Sequence, residues 1–410
     1  MEIDRRTLLG AAALPFATGP LTAAAAADDW EQIAREYDVT RDVIQLEHGN
    51  WGMMARPVLA AYRAQVERVN RDTSYYARRG MVADLETVRA GVAEAMGVGL
   101  DEITLTRNAT EALKALILQY NRLKPGDAVL YADLDYDSMQ TSMDSLAARR
   151  GVRVIKIALP EPATHQSLVD AYRSAFDANP AIRMILLTHV SHRTGLVLPV
   201  AEIATMARER GIDALVDAAH SVGQLHFRLP DLKSDFIGMN LHKWIGAPLG
   251  VGAVYVRRDR IAAIDPDPAE SATSADIRAR VHTGTPDYAA QLTVPAALAF
   301  QAAIGAPRRE ARLRALRDRW VRPLRDLPQV QILTPDDPRL YGAITSFRLR
   351  GRTSHDDNVA LAKALLDKNR IFTVHRDGLA SGSCVRVTPA LATRMSDLDA
   401  LVAAVRALAG

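Results

Sequence analysis

The chain has 410 residues, 48% hydrophobic and 24% charged, with 51 Lys and Arg against 48 Asp and Glu and a formal net charge of +3. This length and composition suit two or three globular cores. So small a charge, with no Lys/Arg run and no interleaved aromatics, argues against nucleic acid as a partner. The single cysteine, Cys384, excludes an internal disulfide and a Cys-rich zinc site, and no other set of residues reads as a metal-ligand pattern.

In chain order, the first element is a targeting segment at residues 1–27. Asp4-Arg5-Arg6-Thr7-Leu8-Leu9 precedes an Ala/Leu-rich stretch that ends on the alanines 23–27. Charged region, apolar region and small-residue cleavage site come in the order of a signal peptide. The arginine pair resembles a twin-arginine signal, with a Sec signal or an apolar terminus as the other readings. The expectation is a periplasmic or otherwise exported protein, folded before export. Beyond the signal no apolar run reaches ~18 residues, so no membrane span is expected.

From about residue 100 to 256, short apolar runs alternate with helical periods. Strands are predicted at 103–106, 128–132, 152–157, 182–188, 212–217, 235–239 and 251–256. Between most of them lie helical patterns such as Ala112, Leu113, Leu116, Ile117 and Tyr120. This rhythm predicts an α/β, doubly wound, mostly parallel seven-stranded sheet, with ligands at the carboxyl ends of the strands. Residues 265–276, rich in Pro, Ala, Ser and Asp, predict a surface loop. A helix at 291–303 leads to a smaller α/β segment with strands at 330–333, 343–349 and 384–387 and a closing helix at 396–409.

Three strand ends carry candidate chemistry. Asn108-Ala109-Thr110-Glu111 follows the first strand with capping-box spacing. The helix it opens offers free N–H groups and a positive dipole end to a phosphate, or is simply a capped helix. Asp217 ends an apolar strand, where a carboxylate needs a partner: a protonated ring nitrogen, or the N–H groups of the next turn. Lys243, framed by His242, Trp244 and an apolar run, is either a surface lysine or a desolvated amine nucleophile.

Together, in this order and frame, these motifs resemble the class V aminotransferase family of pyridoxal 5′-phosphate (PLP) enzymes. His242-Lys243-Trp244 through Ala247-Pro248, with Gly250 and Gly252, is most similar to the isopenicillin N epimerase branch. The resemblance spans about residues 45–405. It implies an aspartate-aminotransferase-type architecture (PLP fold type I), with a large cofactor domain at 61–290 and a small domain built from 28–60 and 291–410. It also implies a homodimer acting on a small amino-acid substrate.

Position by position, the resemblance makes Lys243 the Schiff-base lysine and proton carrier, and Asp217 the partner of the pyridine nitrogen. His220 stands near the ring, Ala109 and Thr110 (behind Asn108) at the phosphate, and His242 also at the phosphate. Tyr136 stacks on the ring, His192 reaches its phenolic oxygen where relatives often have Asn, Thr285 reaches the phosphate of a second subunit, and Arg386 takes the substrate carboxylate. After Arg386 the sequence reads Val387-Thr388-Pro389-Ala390, without the family's usual Tyr-Asn pair. Arg78 and Arg79 are either a second anion contact or a solvated helix face. Cys384, inside a predicted strand, reads as a structural thiol and not as a desulfurase nucleophile. Epimerase, aminotransferase and lyase chemistry all fit these residues. A non-catalytic binding protein would need neither Lys243 nor Asp217.

Overall fold

Between residues 103 and 256 each short apolar run becomes a strand and each helical period a helix. A computed structural model describes residues 25–410, so all but the last three residues of the expected signal segment lie outside the described residues. The chain opens with α1 (Ala25–Arg35), β1 (Ile44–Gln45), α2 (Arg56–Arg79) and α3 (Met81–Met96). The large unit continues through β2 (Ile103–Thr106), α4 (Ala109–Leu118), β3 (Ala128–Ala132), α5 (Asp137–Arg150), β4 (Arg153–Ile157) and α6 (His165–Ala178). It closes with β5 (Ile182–Thr188), α7 (Val200–Glu209), β6 (Asp213–Asp217), β7 (Phe236–Asn240) and β8 (Gly252–Val256). Then follow α8 (Tyr288–Ile304), α9 (Ala306–Arg325), β9 (Val330–Ile332), β10 (Thr345–Leu349), α10 (His355–Asn369), β11 (Ile371–Phe372), β12 (Val374–Arg376), β13 (Cys384–Val387) and α11 (Met395–Ala409).

The large sheet has seven strands in the order β2-β8-β7-β6-β5-β3-β4. β8 runs antiparallel to both neighbours, and the remaining pairs are parallel. All seven predicted strands are present, four of them starting one residue later because the first residue belongs to the incoming turn. Alternation along the strands builds two cores. Val129, Tyr131, Met184, Leu186 and Leu215 face one cluster with α4 and α5. Ala128, Leu130, Ile185, Leu187 and Val216 face the other, with α6 and α7. Covering both faces explains why the central strands read as unbroken apolar runs. At one edge β4 keeps Arg153 and Lys156 exposed, charges that discourage pairing with another chain.

The second sheet is antiparallel, β12-β13-β10-β9. α10 lies against β12 and β13, and α9 packs on α11. β1 pairs in parallel with β11, which brings the N-terminal segment to the C-terminal unit. α8 packs on α2 and α3, and the domain boundary expected at 290/291 falls inside it. Among the described residues no single helix is long and apolar enough to cross a membrane.

Candidate active site

Loops at the carboxyl ends of β2, β3, β5, β6 and β7 meet a return from the C-terminal sheet around a cavity of about 560 Å³. At its end of the sheet, the Asn108 side chain accepts from the Glu111 N–H at 2.8 Å, as the capping pattern predicts. The reciprocal half differs: Glu111 accepts from the Arg107 N–H and side chain, not from Asn108. Ala109 N–H donates to Asn240 Oδ1 at 2.8 Å, which ties the start of α4 to the end of β7. Thr110 borders the cavity with Asn108 and Ala109. His242 gives Nδ1 to the Val251 carbonyl at 2.9 Å, leaving Nε2 as its other polar atom.

The chemical centre lies between β6 and β7. Asp217 is buried, its Oδ1 accepts from the Ala219 N–H at 2.9 Å, and among the described residues no hydrogen bond reaches Oδ2. Burial raises its pKa to about 6, against the opposing effects of the Ala219 N–H and Lys243. Lys243 Nζ stands 3.0 Å from His220 Nε2 and donates to the Gly49 carbonyl at 3.1 Å. Enclosure by protein, reinforced by the Arg386 charge, lowers its pKa to about 7, so near neutrality much of this amine carries its lone pair. The Trp244 indole, a donor only, faces His220 Nδ1 at 3.4 Å. His220 is buried and its pKa is driven well down by burial, then by Lys243. The neutral ring therefore carries its proton on Nε2, toward Lys243.

The next wall comes from the β3–α5 and β5–α7 connections. Buried Asp135 accepts from Ala132 N–H, Thr188 N–H and the Thr188 hydroxyl, locking the two strand ends together. This presents Tyr136 to the cavity, edge-on to His192 with ring centroids 5.1 Å apart. Burial pulls His192 down to about 3 although Asp137 opposes it, and its buried Nδ1 has no protein partner. Asp137 also pairs with Arg193.

Arg386 reaches the cavity as expected, with three of its five N–H groups engaged by protein. It pairs with buried Glu47 and donates to the His192 carbonyl at 2.6 Å. Arg376, on β12, lines the same cavity with weaker contacts: 3.5 Å to Glu47 and 3.4 Å to the His375 carbonyl. Burial, then Arg386, lowers its pKa to about 10.

Neither Glu47 nor Arg376 stood out in the sequence, and nor did the segment at 49–52. Gly52 N–H donates to the His242 carbonyl at 2.9 Å, and a Cβ on Gly52 would meet the Lys243 carbonyl oxygen at 1.8 Å. Only glycine permits this approach. Gly52→Ala is expected to cost roughly 1–3 kcal/mol, measured by denaturant titration.

Four other sequence candidates lie elsewhere. Thr285 is exposed on the turn before α8, outside this cavity. Cys384 is fully buried on β13, and burial pushes its thiol up to about 12. Arg78 and Arg79, at the end of α2, also lie outside the cavity.

The aminotransferase class-V family model matches residues 53–401. An isopenicillin N epimerase from Streptomyces clavuligerus is 29% identical over 93% of this chain and 99% of its own length. A putative L-cysteine desulfhydrase from Oryza sativa subsp. japonica is 31% identical over 71% of this chain and 65% of its own length. In fold, a cysteine desulfurase from Escherichia coli is similar with a TM-score of 0.77 at 22% identity, over 92% of this chain and 98% of that one.

Proposed function

The chain belongs to the class V aminotransferase family of pyridoxal-phosphate enzymes, and on that premise we propose that it opens the Cα–H bond of an α-amino acid or amino-acid-containing metabolite, with epimerisation or amino transfer as the outcome. The observation that carries this reading is the depressed Lys243 amine, set 3.0 Å from His220 at the cavity floor. A protein that only bound its ligand would have no use for a desolvated amine.

The donor set fits the cofactor. Asp217 Oδ2, at the cavity wall and without a hydrogen-bond partner among the described residues, suits the N–H of a pyridinium ring. The start of α4 with Thr110, and His242 once protonated on Nε2, suits the phosphate. Tyr136 offers an aromatic face, and the unpartnered His192 Nδ1 suits the ring's phenolic oxygen. Bound there, pyridoxal phosphate supplies an electron sink for the pair left at Cα. Lys243 would hold it through its amine and would carry the Cα proton, while Asp217 would hold the proton on the ring nitrogen. Arg386 is held by Glu47, so Arg376, with its looser contacts, meets the substrate carboxylate first. Arg376→Ala is expected to raise KM about 10- to 100-fold, the worth of a charged hydrogen bond, with the cofactor's visible spectrum unchanged. Steady-state kinetics beside the spectrum check this.

Epimerisation is favoured by the relative that matches along its whole length. A second reading, elimination across a C–S bond, is favoured by the L-cysteine desulfhydrase relative and needs no cysteine in the enzyme. Sulfur relay through an enzyme persulfide is disfavoured, because it needs a thiolate at the substrate and the only thiol is buried and protonated. Incubation of the holoenzyme with amino acids in heavy water discriminates these outcomes. Deuterium at Cα with inverted product supports epimerisation. A new amino acid formed from an added 2-oxo acid supports amino transfer, and pyruvate released with sulfide from cysteine, or with cysteine persulfide from cystine, supports elimination. Tight-binding amino acids that give neither deuterium nor product would leave only a binding protein.

The same reading includes a homodimer and export. Thr285, exposed and outside its own chain's cavity, stands free for the site of a second copy. The arginine pair and alanine run at 1–27 support passage out of the cytoplasm with the cofactor loaded.

A further inference from the structure

Beside the cavity mouth, the fold gathers a second set of ligand-type side chains. His375 lies on β12 and Asp377 just after it. His355 is the first residue of α10, behind the N-cap Ser354, and α10 packs on β12. His355 Nδ1 lies 3.0 Å and His375 Nε2 3.5 Å from Asp377 Oδ2. The three atoms all fall within 4.8 Å of one another, and the two rings meet edge to face with centroids 4.9 Å apart.

We propose that His355, His375 and Asp377 form a zinc site with a fourth position left to water. Around a tetrahedral zinc with bonds of ~2.0–2.1 Å, ligand atoms stand about 3.3–3.4 Å apart. Two of the three edges already lie near that value, and the third is within 4.8 Å. Two imidazoles turned on one carboxylate oxygen are more than a single ion pair requires, and two nitrogens with one oxygen form a usual zinc donor set.

The carboxylate is also supported from behind. Its Oδ1 accepts from the Ser383 hydroxyl, which leaves Oδ2 for the metal, and ligand carboxylates are commonly braced in this way. The Asp377 main-chain carbonyl accepts from Arg193. All three side chains are partly exposed, so an ion can enter from solvent. Asp377 and Arg376 both line the main cavity. The ion would therefore fasten the start of α10 to the β12–β13 connection, next to the guanidinium assigned to the substrate carboxylate.

The test uses chelator-treated holoenzyme, titrated with zinc in a calorimeter and checked by elemental analysis after dialysis. Uptake of about one equivalent is expected, as for a three-ligand site. His355→Ala and His375→Ala should each weaken binding by about tenfold or more, since even supporting residues are worth that much. His282→Ala, at an exposed His–Glu270 pair elsewhere, should leave it unchanged. Circular dichroism identifies any variant that has not folded, and His355→Gln and His375→Gln then stand in for it. Wild-type protein that takes up no more zinc than the folded His355/His375 double variant overturns the proposal.

Discussion

Asp217→Ala is expected to lower turnover by about three powers of ten or more while the protein stays folded and keeps PLP through its phosphate contacts. The carboxylate ends β6 in a dry position, one oxygen is fixed by the Ala219 N–H, and the other has no partner. Burial holds its pKa near 6 against the Ala219 N–H and the Lys243 charge. A ring cation opposite it makes the carboxylate fully ionised and, in return, keeps the ring nitrogen protonated. An ion pair in such a site is worth several kcal/mol, and each ~1.4 kcal/mol lost is a factor of ten in rate. Asp217→Asn should behave nearly as badly, since its geometry is kept but its charge is gone. Steady-state turnover of both variants, at matched cofactor occupancy, is the measurement. Rates near wild type would make Asp217 only the cap of the following turn.

Lys243→Ala should reduce turnover by at least about four powers of ten, because covalent attachment and proton transfer at Cα are lost together. Its amine has a pKa near 7 for two stated reasons, enclosure and the neighbouring Arg386 charge. Glu47, Asp217 and the other groups around it remain in the variant, so the fold should persist with the cofactor held only by non-covalent contacts. Turnover assays beside the visible spectrum check both parts. A variant that keeps a substantial rate would move the chemistry to another group.

The large sheet was legible in the sequence because each strand is a local apolar run with a helical period behind it. The N-cap at Asn108 was legible for the same reason, since its partner Glu111 is three residues away. The spacing did not fix the reciprocal contact, which Glu111 makes with Arg107 instead. What escaped the sequence is long-range. Glu47 meets Arg386 across 339 residues, Gly49 meets Lys243 across 194 and Gly52 meets His242 across 190, and no period marks such pairs. β1 and β11 are two residues each, too short to register as strands. β12 is three, and with it Arg376 and the His375–Asp377 pair went unnoticed until the fold placed α10 alongside. Arg386 shows the opposite limit: the residue was legible, but the Glu47 that pairs with it was not.

Borohydride reduction of the native holoenzyme, followed by proteolysis and mass spectrometry of the pyridoxyl-bearing peptide, bears most directly on the assignment of this cavity to the cofactor. The label should appear on Lys243 alone, at about one per chain, as expected of a single covalent lysine. Label on any other lysine, or none in protein shown to contain PLP, would contradict it.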